Sequence, residues 1–146
     1  MPPVSGFLGR YEYQMDPKGR VSLPAAFRRD AEDGSFVLLQ WERPYLTLFP
    51  QRAWETVRER LLEHRRSRSD AGRFLRRITS NAVEVSPDKQ GRILIPSWLQ
   101  EAAELDGTLL MVGAIDRIEI WDPEAFRRAS PEESAELEDL AAQIFG

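Results

Sequence analysis

Two arginines occupy the same place in two near-identical turns, and their side chains suit the binding of an anion. Residues 16–20 read DPKGR and residues 88–92 read DKQGR. An arginine guanidinium presents planar N–H donors that match phosphate oxygens or the O6 and N7 atoms of guanine, and a lysine adds a compact positive charge. We interpret four side chains as candidate DNA contacts: Lys18, Arg20, Lys89 and Arg92.

Turn chemistry explains how these side chains would be held at rigid loop tips. Asp16, Pro17 and Gly19 occupy positions i, i+1 and i+3 of a type I turn, where an aspartate acceptor, a preset φ and a glycine are favoured. The second turn repeats the aspartate and the glycine. We interpret four residues as turn supports: Asp16, Gly19, Asp88 and Gly91. Each arginine could instead form a structural ion pair with the aspartate of its own turn, and the sequence leaves that alternative open.

The two turns belong to a longer internal repeat. Residues 12–54 align with residues 84–126 without a gap, an offset of 72 positions, so one small unit is duplicated. Apolar and polar residues alternate around each turn, as at Tyr11, Tyr13 and Val21, which predicts two half-buried strands in a hairpin. One unit of four short strands buries too little apolar surface alone. We therefore expect two copies to pack about a pseudo-twofold axis and to exchange hairpins.

The remaining patterns predict an α+β fold in which the order ββαββα occurs twice. Asp122 followed by Pro123 marks the start of one helix, because aspartate is a preferred N-cap and proline fits the first helical position. The predicted helices are 24–31, 51–62, 96–103 and 123–129, and the predicted strand pairs are 36–39 with 45–49 and 109–112 with 117–121. Together the tandem repeats are expected to form one small, pseudo-twofold, swapped-hairpin β-barrel with peripheral helices.

Two segments extend beyond the repeat. Residues 58–80 are rich in arginine, and Phe74, Leu75 and Ile78 form an apolar stripe on a helix predicted to begin near Asp70. The tail from residue 130 begins with a capping-box pattern, Ser-Pro-Glu-Glu, and carries five acidic side chains and no basic one. This predicted helix could lie against the arginine-rich segment, within one chain or between neighbours.

These extensions complete the predicted domain organisation. Residues 1–80 form the first repeat with its arginine-rich helical extension, and residues 81–146 form the second repeat with its acidic C-terminal helix; both halves are expected to build one compact domain. We interpret the arginines of the extension as a solvated helix face or a subunit contact, with direct DNA binding as the alternative.

Charge and composition narrow the classes of function. Residues 1–80 carry 15 basic and 10 acidic side chains, a net +5, whereas residues 81–146 carry 5 and 14, a net −9. This asymmetry fits an anionic partner or a head-to-tail contact between subunits. The chain has no cysteine and no apolar run of about 20 residues, and its start lacks the pattern of a signal peptide, so we expect a soluble cytoplasmic protein.

Catalysis has little support in the sequence. His64 is the only histidine, and no P-loop, G-x-S-x-G or H-E-x-x-H pattern is present. We therefore predict no enzyme activity, no catalytic residue, no metal site and no cofactor or small-molecule substrate.

The paired turns, each followed by a short apolar stretch that ends in Pro24 or Pro96, occur together with Phe-Leu-Gly at residues 7–9. In this combination the chain resembles the MraZ family of bacterial transcriptional regulators. The resemblance covers nearly the whole sequence. It departs from the family in about six residues that precede Phe7 and in Pro17 and Gln90 inside the turns, so the base preference is not carried over.

The resemblance implies a swapped-hairpin barrel of the AbrB type, supplied by one chain. It also implies a ring-shaped homo-oligomer, an octamer being one candidate size, that binds direct repeats in the promoter of the division and cell-wall gene cluster. The loops matching Asp16 to Arg20 and Asp88 to Arg92 would contact the DNA, most simply as a repressor in the cytoplasm, associated with the nucleoid and not with the membrane. A ring-forming scaffold or an antitoxin-like protein-binding module is the alternative.

Overall fold

A computed structural model describes residues 6–29, 34–129 and 134–146. In chain order its elements are β1 (Arg10–Gln14), β2 (Arg20–Ser22), α1 (Ala25–Arg29), β3 (Phe36–Leu39), β4 (Leu46–Pro50), α2 (Gln51–Ser67), α3 (Ala71–Thr79), β5 (Val83–Val85), β6 (Arg92–Leu94), α4 (Ser97–Ala102), β7 (Thr108–Gly113), β8 (Ile118–Trp121), α5 (Pro123–Ala129) and α6 (Ala135–Phe145). The predicted order of strands and helices is confirmed in both repeats.

The strands form two antiparallel sheets with an internal symmetry. The larger sheet has the order β1-β7-β8-β4-β3-β5, and β2 pairs with β6 in the smaller one. With the 72-residue offset, β1 corresponds to β5, β7 to β3 and β8 to β4, so the order of the large sheet reads the same from both ends. The duplicated unit and its pseudo-twofold arrangement are therefore confirmed.

Strand exchange joins the two repeats. β1 pairs with β7 of the second repeat, from Arg10 opposite Val112 to Gln14 opposite Thr108, and β5 pairs with β3 of the first repeat. No β-ladder joins β1 to β2 within the described residues, so the prediction that these two strands pair with each other in a hairpin is wrong. The strands are consecutive in the chain, but each pairs with a strand of the other repeat. Alternation of apolar and polar residues shows that a strand has one buried face, and it does not show which strand lies beside it.

The main core lies between the two sheets and takes residues from both repeats. Phe27 of α1 is fully buried, and its ring contacts those of Phe7 and Tyr11 edge to face at 5.4 and 5.3 Å. The other buried members are Val21, Leu23, Phe36, Leu38, Leu46, Leu48, Val85, Ile93, Ile95, Leu99, Ala103, Leu105, Leu109, Met111, Ile118 and Ile120. Because neither copy could bury these side chains alone, the fold depends on both.

A second, smaller cluster lies on the opposite face of the large sheet. Val37, Leu39 and Phe49 pack there against Ile78 of α3, with Trp54 and Leu61 of α2 partly buried beside them. β3 and β4 are therefore covered on both faces, which explains why both strands are buried along their whole length.

Helix boundaries differ from the predictions at several ends. α2 continues to Ser67 instead of stopping at Leu62, because Glu63, Arg65 and Arg66 are good helix formers. α1 and α4 begin after Pro24 and Pro96, and the predicted last two residues of α1 lie outside the described residues.

The starts of α5 and α3 agree with their predicted positions. α5 has the predicted bounds, with Asp122 Oδ2 accepting a hydrogen bond from Ala125 N at 3.0 Å, and α3 begins directly after Asp70. The predicted capping box at residues 130–133 lies outside the described residues. The helix described in the tail has Ser134 as its N-cap, whose side chain accepts a hydrogen bond from Leu137 N.

Candidate nucleic-acid interface

The β2–β6 ribbon places both arginines on one outward face. Arg20 lies opposite Leu94, and Ser22 lies opposite Arg92. The alternate residues Val21 and Ile93 are buried in the core. Because side chains two residues apart in a strand share a face, Arg20, Ser22, Arg92 and Leu94 form the outer surface of the ribbon. We call this surface the ribbon face.

Both turns are closed by a backbone hydrogen bond between their aspartate and their glycine. Gly19 N donates to Asp16 O, and Gly91 N donates to Asp88 O, each at 2.9 Å, which is the i to i+3 hydrogen bond of a β-turn. The glycine φ angles are +88° and +77°, in the left-handed region that glycine reaches without strain. The turns are also tied across the pseudo-twofold axis, because Leu23 N donates to Gly91 O and Ile95 N donates to Gly19 O, both at 2.9 Å.

Each aspartate holds its turn through backbone hydrogen bonds. Asp16 Oδ1 accepts from Lys18 N at 3.0 Å and from Arg20 N at 2.8 Å. Asp88 Oδ1 accepts from Gln90 N and Arg92 N, both at 2.9 Å. The bonds donated by Arg20 N and Arg92 N are the main reason that the pKa of each carboxyl is lowered.

The arginines form ion pairs with these aspartates and still face outward. Arg20 Nε lies 2.7 Å from Asp16 Oδ2, and Arg92 Nε lies 3.1 Å from Asp88 Oδ2. Arg92 Nη1 is 3.9 Å from Asp16 Oδ2, so the two turns lie side by side. The arginine side chains are 35% and 28% exposed. Their terminal nitrogens form no hydrogen bond within the described residues, so the ion pair and an outward contact are compatible.

Acidification is expected to weaken the two turns. A carboxylate whose pKa is lowered on folding stabilises the fold above its ordinary pKa, 3.8 here, and this stabilisation is lost as the pH falls through the lowered value. The difference in unfolding free energy between wild type and an Asp16→Asn/Asp88→Asn variant should therefore be constant from about pH 7 to 5 and shrink below about pH 4. Urea titrations across this range measure it, and a difference that does not change with pH would contradict the assignment.

Side chains from α1 and α4 reach the turns in a matching way. Arg28 Nη1 donates to Leu23 O at 3.1 Å and to Gly91 O at 3.4 Å. Gln100 corresponds to Arg28 in the second repeat, and its Nε2 donates to Ile95 O at 2.7 Å. A Cβ on Gly19 would lie 2.5 Å from Gln100 Nε2, and one on Gly91 would overlap the Arg28 guanidinium. These contacts hold both turns against the ribbon.

The sequence prediction missed several members of this site. Ser22 and Leu94 share the ribbon face with the arginines, and Leu94 is 52% exposed. Alternation along β2 and β6 was the signal that could have found them. Lys18 and Lys89 are both exposed but occupy different turn positions, the third residue in one turn and the second in the other, so the interface is only approximately symmetric.

The described residues contain neither a membrane-spanning helix nor a metal-ion cluster. No helix within 6–29, 34–129 and 134–146 is long and apolar enough to cross a membrane. Over those ranges no group of three or more His, Asp or Glu side chains could hold a metal ion. His64 is exposed on α2.

Comparison with known proteins places this geometry in a family. The family described as "MraZ protein, putative antitoxin-like" matches residues 7–77 and again residues 78–146. A protein of Desulforamulus reducens named Transcriptional regulator MraZ is 38% identical over 138 residues, covering 94% of this chain and 96% of the relative. Proteins of the same name from Carboxydothermus hydrogenoformans and Pelotomaculum thermopropionicum are 35% and 36% identical, covering 94% of this chain and 96% and 94% of the relatives. The chain, with one match in each half, belongs to the MraZ family.

Proposed function

We propose that this chain is a DNA-binding transcriptional regulator that reads duplex DNA with its ribbon face. The observation that carries the proposal is the pair of outward arginines, each fixed through Nε by the aspartate of its own turn, with terminal nitrogens that form no hydrogen bond within the described residues. Such a guanidinium is preorganised for a phosphate or for guanine O6 and N7. The relatives' name, Transcriptional regulator, points the same way.

The shape of the ribbon supports binding in the major groove. A two-stranded antiparallel ribbon is one of the elements that the major groove admits. Lys18 and Lys89 at the adjoining turns would contact phosphates and fix the register, while Arg20 and Arg92 would reach base edges. The net charge of −4 does not oppose this, because DNA affinity depends on local phosphate contacts.

Several copies are proposed to act together on tandem sites. The proposed targets are direct repeats in the promoter of the division and cell-wall gene cluster, and the proposed assembly is a ring-shaped homo-oligomer. A ring repeats one reading surface by rotation, which suits direct repeats better than a palindrome. Tethering several weak contacts raises the apparent affinity by about 10²–10⁴ when they bind at once.

The proposal also predicts the effect on transcription and the place in the cell where the protein acts. A large assembly over a promoter obstructs polymerase, so repression is the expected outcome. The protein would act in the cytoplasm on the nucleoid, without catalysis, cofactor or metal. An antitoxin-like protein-binding module is the second candidate, favoured by the description of the family and by the exposed Leu94 on the ribbon face.

Salt-dependent binding separates the two candidates. Fluorescence anisotropy with a labelled duplex carrying tandem repeats, and with a shuffled duplex, is measured at increasing salt. A DNA reader should prefer the repeats, and its log affinity should fall by about 0.9 per phosphate contact for each unit of log salt. Equal binding to both duplexes, or none at low salt, would refute sequence-specific reading and leave the protein-binding module.

A further inference from the structure

The C-terminal helix α6 has an apolar stripe with no partner in the described structure. Leu137, Leu140 and Ile144 are 40%, 51% and 65% exposed, and every residue from 134 to 146 is exposed. At about 100° per residue these three side chains fall within about 60° of one another. Exposed leucine and isoleucine at helical spacing are typical of a helix that docks on another surface.

Acidic side chains flank the α6 stripe on both sides. On the same helical projection Glu136 lies about 40° beyond one edge of the stripe, and Glu138 lies about 100° beyond the other. Asp139 lies about 100° beyond the same edge as Glu136, and α6 has no basic residue. The helix therefore presents an apolar ridge with a carboxylate on each side.

A groove between α2 and α3 has the complementary chemistry. Its α2 wall carries Arg58, Leu61, Leu62 and Arg65, which lie on one face because they are spaced i, i+3, i+4 and i+7. Its α3 wall carries Gly72, Leu75 and Arg76. The three leucines are half-buried and form the floor. Arginines therefore stand on both sides of an apolar floor.

The segment that contains the two helices around the groove has an excess of positive charge. Residues 51–80 contain nine arginines and four acidic residues. Arg65 and Arg76 have no ion-pair partner in the part of the chain that the structure describes, and Arg58 has only Glu59 Oε1 at 3.7 Å. An acidic ligand could pair with these groups without displacing an existing strong ion pair.

We propose that α6 of one copy docks in the α2–α3 groove of a second copy. The leucine floor would receive Leu137, Leu140 and Ile144, and the arginine walls would pair with Glu136 and Glu138. The two surfaces differ, so the contact is head to tail and can repeat around a closed ring. This inference rests on the self-assembly included in the proposed function and names the surfaces that produce it.

Gly72 offers a way to block the groove without disturbing the fold. A Cβ at this position meets nothing within 4 Å, and the residue lies inside α3. A Gly72→Phe side chain should therefore project into the groove and prevent docking. Gly72→Ala is the matched control, because it makes the same backbone change without filling the groove.

Charge reversal tests whether the contact is between chains. The groove variant is Arg58→Glu/Arg65→Glu, and the helix variant is Glu136→Arg/Glu138→Arg. Each alone sets like charges against each other, and size-exclusion chromatography with light scattering should give one chain of 16.8 kDa. Mixed in equal amounts, the two variants pair each helix with an oppositely charged groove, so the wild-type mass should return. Arg43→Glu/Arg128→Glu, which reverses two exposed arginines elsewhere, should leave the mass unchanged.

Several outcomes would overturn this interface. The first is a wild-type protein with the mass of a single chain. The second is either charge-reversal variant, or Gly72→Phe, with the same mass as the wild-type assembly. The third is a pair of folded charge-reversal variants that do not assemble when they are mixed. A groove variant that keeps its mass but loses DNA affinity would assign these arginines to DNA instead. The masses are measured without DNA, so failure here is distinct from failure of DNA reading, which is tested with Arg20 and Arg92.

Discussion

Replacing Arg20 and Arg92 together by alanine is expected to lower the affinity for a repeat-containing duplex by about 10²-fold or more. A bidentate arginine–guanine pair contributes about 1–3 kcal/mol of discrimination, and each subunit would lose two of them. The loss should be larger for an assembly than for one subunit, because every tethered contact weakens at once. Anisotropy at fixed salt measures the change.

Two further variants test whether the loss of affinity is specific to the ribbon face and to the arginine side chain. Arg128→Ala removes an exposed arginine from α5, outside the ribbon face, and should leave the affinity almost unchanged. Arg20→Lys/Arg92→Lys keeps the charge and removes the planar donors, so it should retain non-specific binding and lose most of the preference for the repeats. If the alanine double variant binds like wild type while remaining folded, the ribbon face does not read DNA.

Gly19→Ala should be the most damaging small change in either turn. The φ of Gly19 is +88°, and an added Cβ would lie 2.7 Å from the backbone oxygen of Ile95. Left-handed backbone costs an alanine about 1–2 kcal/mol, and overpacking against fixed atoms adds about 1–3 kcal/mol. We expect the free energy of unfolding to fall by about 2–5 kcal/mol, as measured by urea titration, with loss of the bond from Ile95 N to Gly19 O.

Two other glycines distinguish the cost of left-handed backbone from the cost of the close contact at an added Cβ. Gly107 has a φ of +84° with nothing within 4 Å of an added Cβ, so Gly107→Ala should show only the backbone term, about 1–2 kcal/mol. Gly91→Ala should fall between them, because its Cβ would meet the flexible end of Arg28 instead of backbone. Equal losses at Gly19 and Gly107 would show that the close approach across the pseudo-twofold axis contributes nothing.

The local parts of the fold could be predicted because their signals are local. The turns follow from Asp16 and Gly19 and their counterparts, and the start of α5 follows from Asp122 and Pro123. The repeat offset gave the element order in both halves. The proximity of the two turns followed from requiring a shared core, and the 3.9 Å distance from Arg92 Nη1 to Asp16 Oδ2 confirms it.

The parts that were missed depend on the partner strand or helix. Which strand lies beside β1 is decided by packing of the whole core, since the alternating pattern of β1 fits either neighbour. Arg28 of α1 donates to Gly91 O in the turn of the other repeat, and Gln100 Nε2 of α4 would lie 2.5 Å from a Cβ on Gly19 in the other turn. Both positions depend on the pairing of β2 with β6. The sequence also presented the ion pair and the outward arginine as alternatives, whereas each arginine pairs with its own aspartate through Nε and its terminal nitrogens form no hydrogen bond within the described residues.

Site-directed cross-linking tests the central claim most directly. The chain has no cysteine, so Lys18→Cys and Lys89→Cys each create a single attachment point for a photoactivatable cross-linker, and Glu124→Cys on α5 is the control. With a repeat-containing duplex, both turn positions should cross-link within the repeats, and the control should not. Retained DNA binding with no cross-link from either turn would contradict the account.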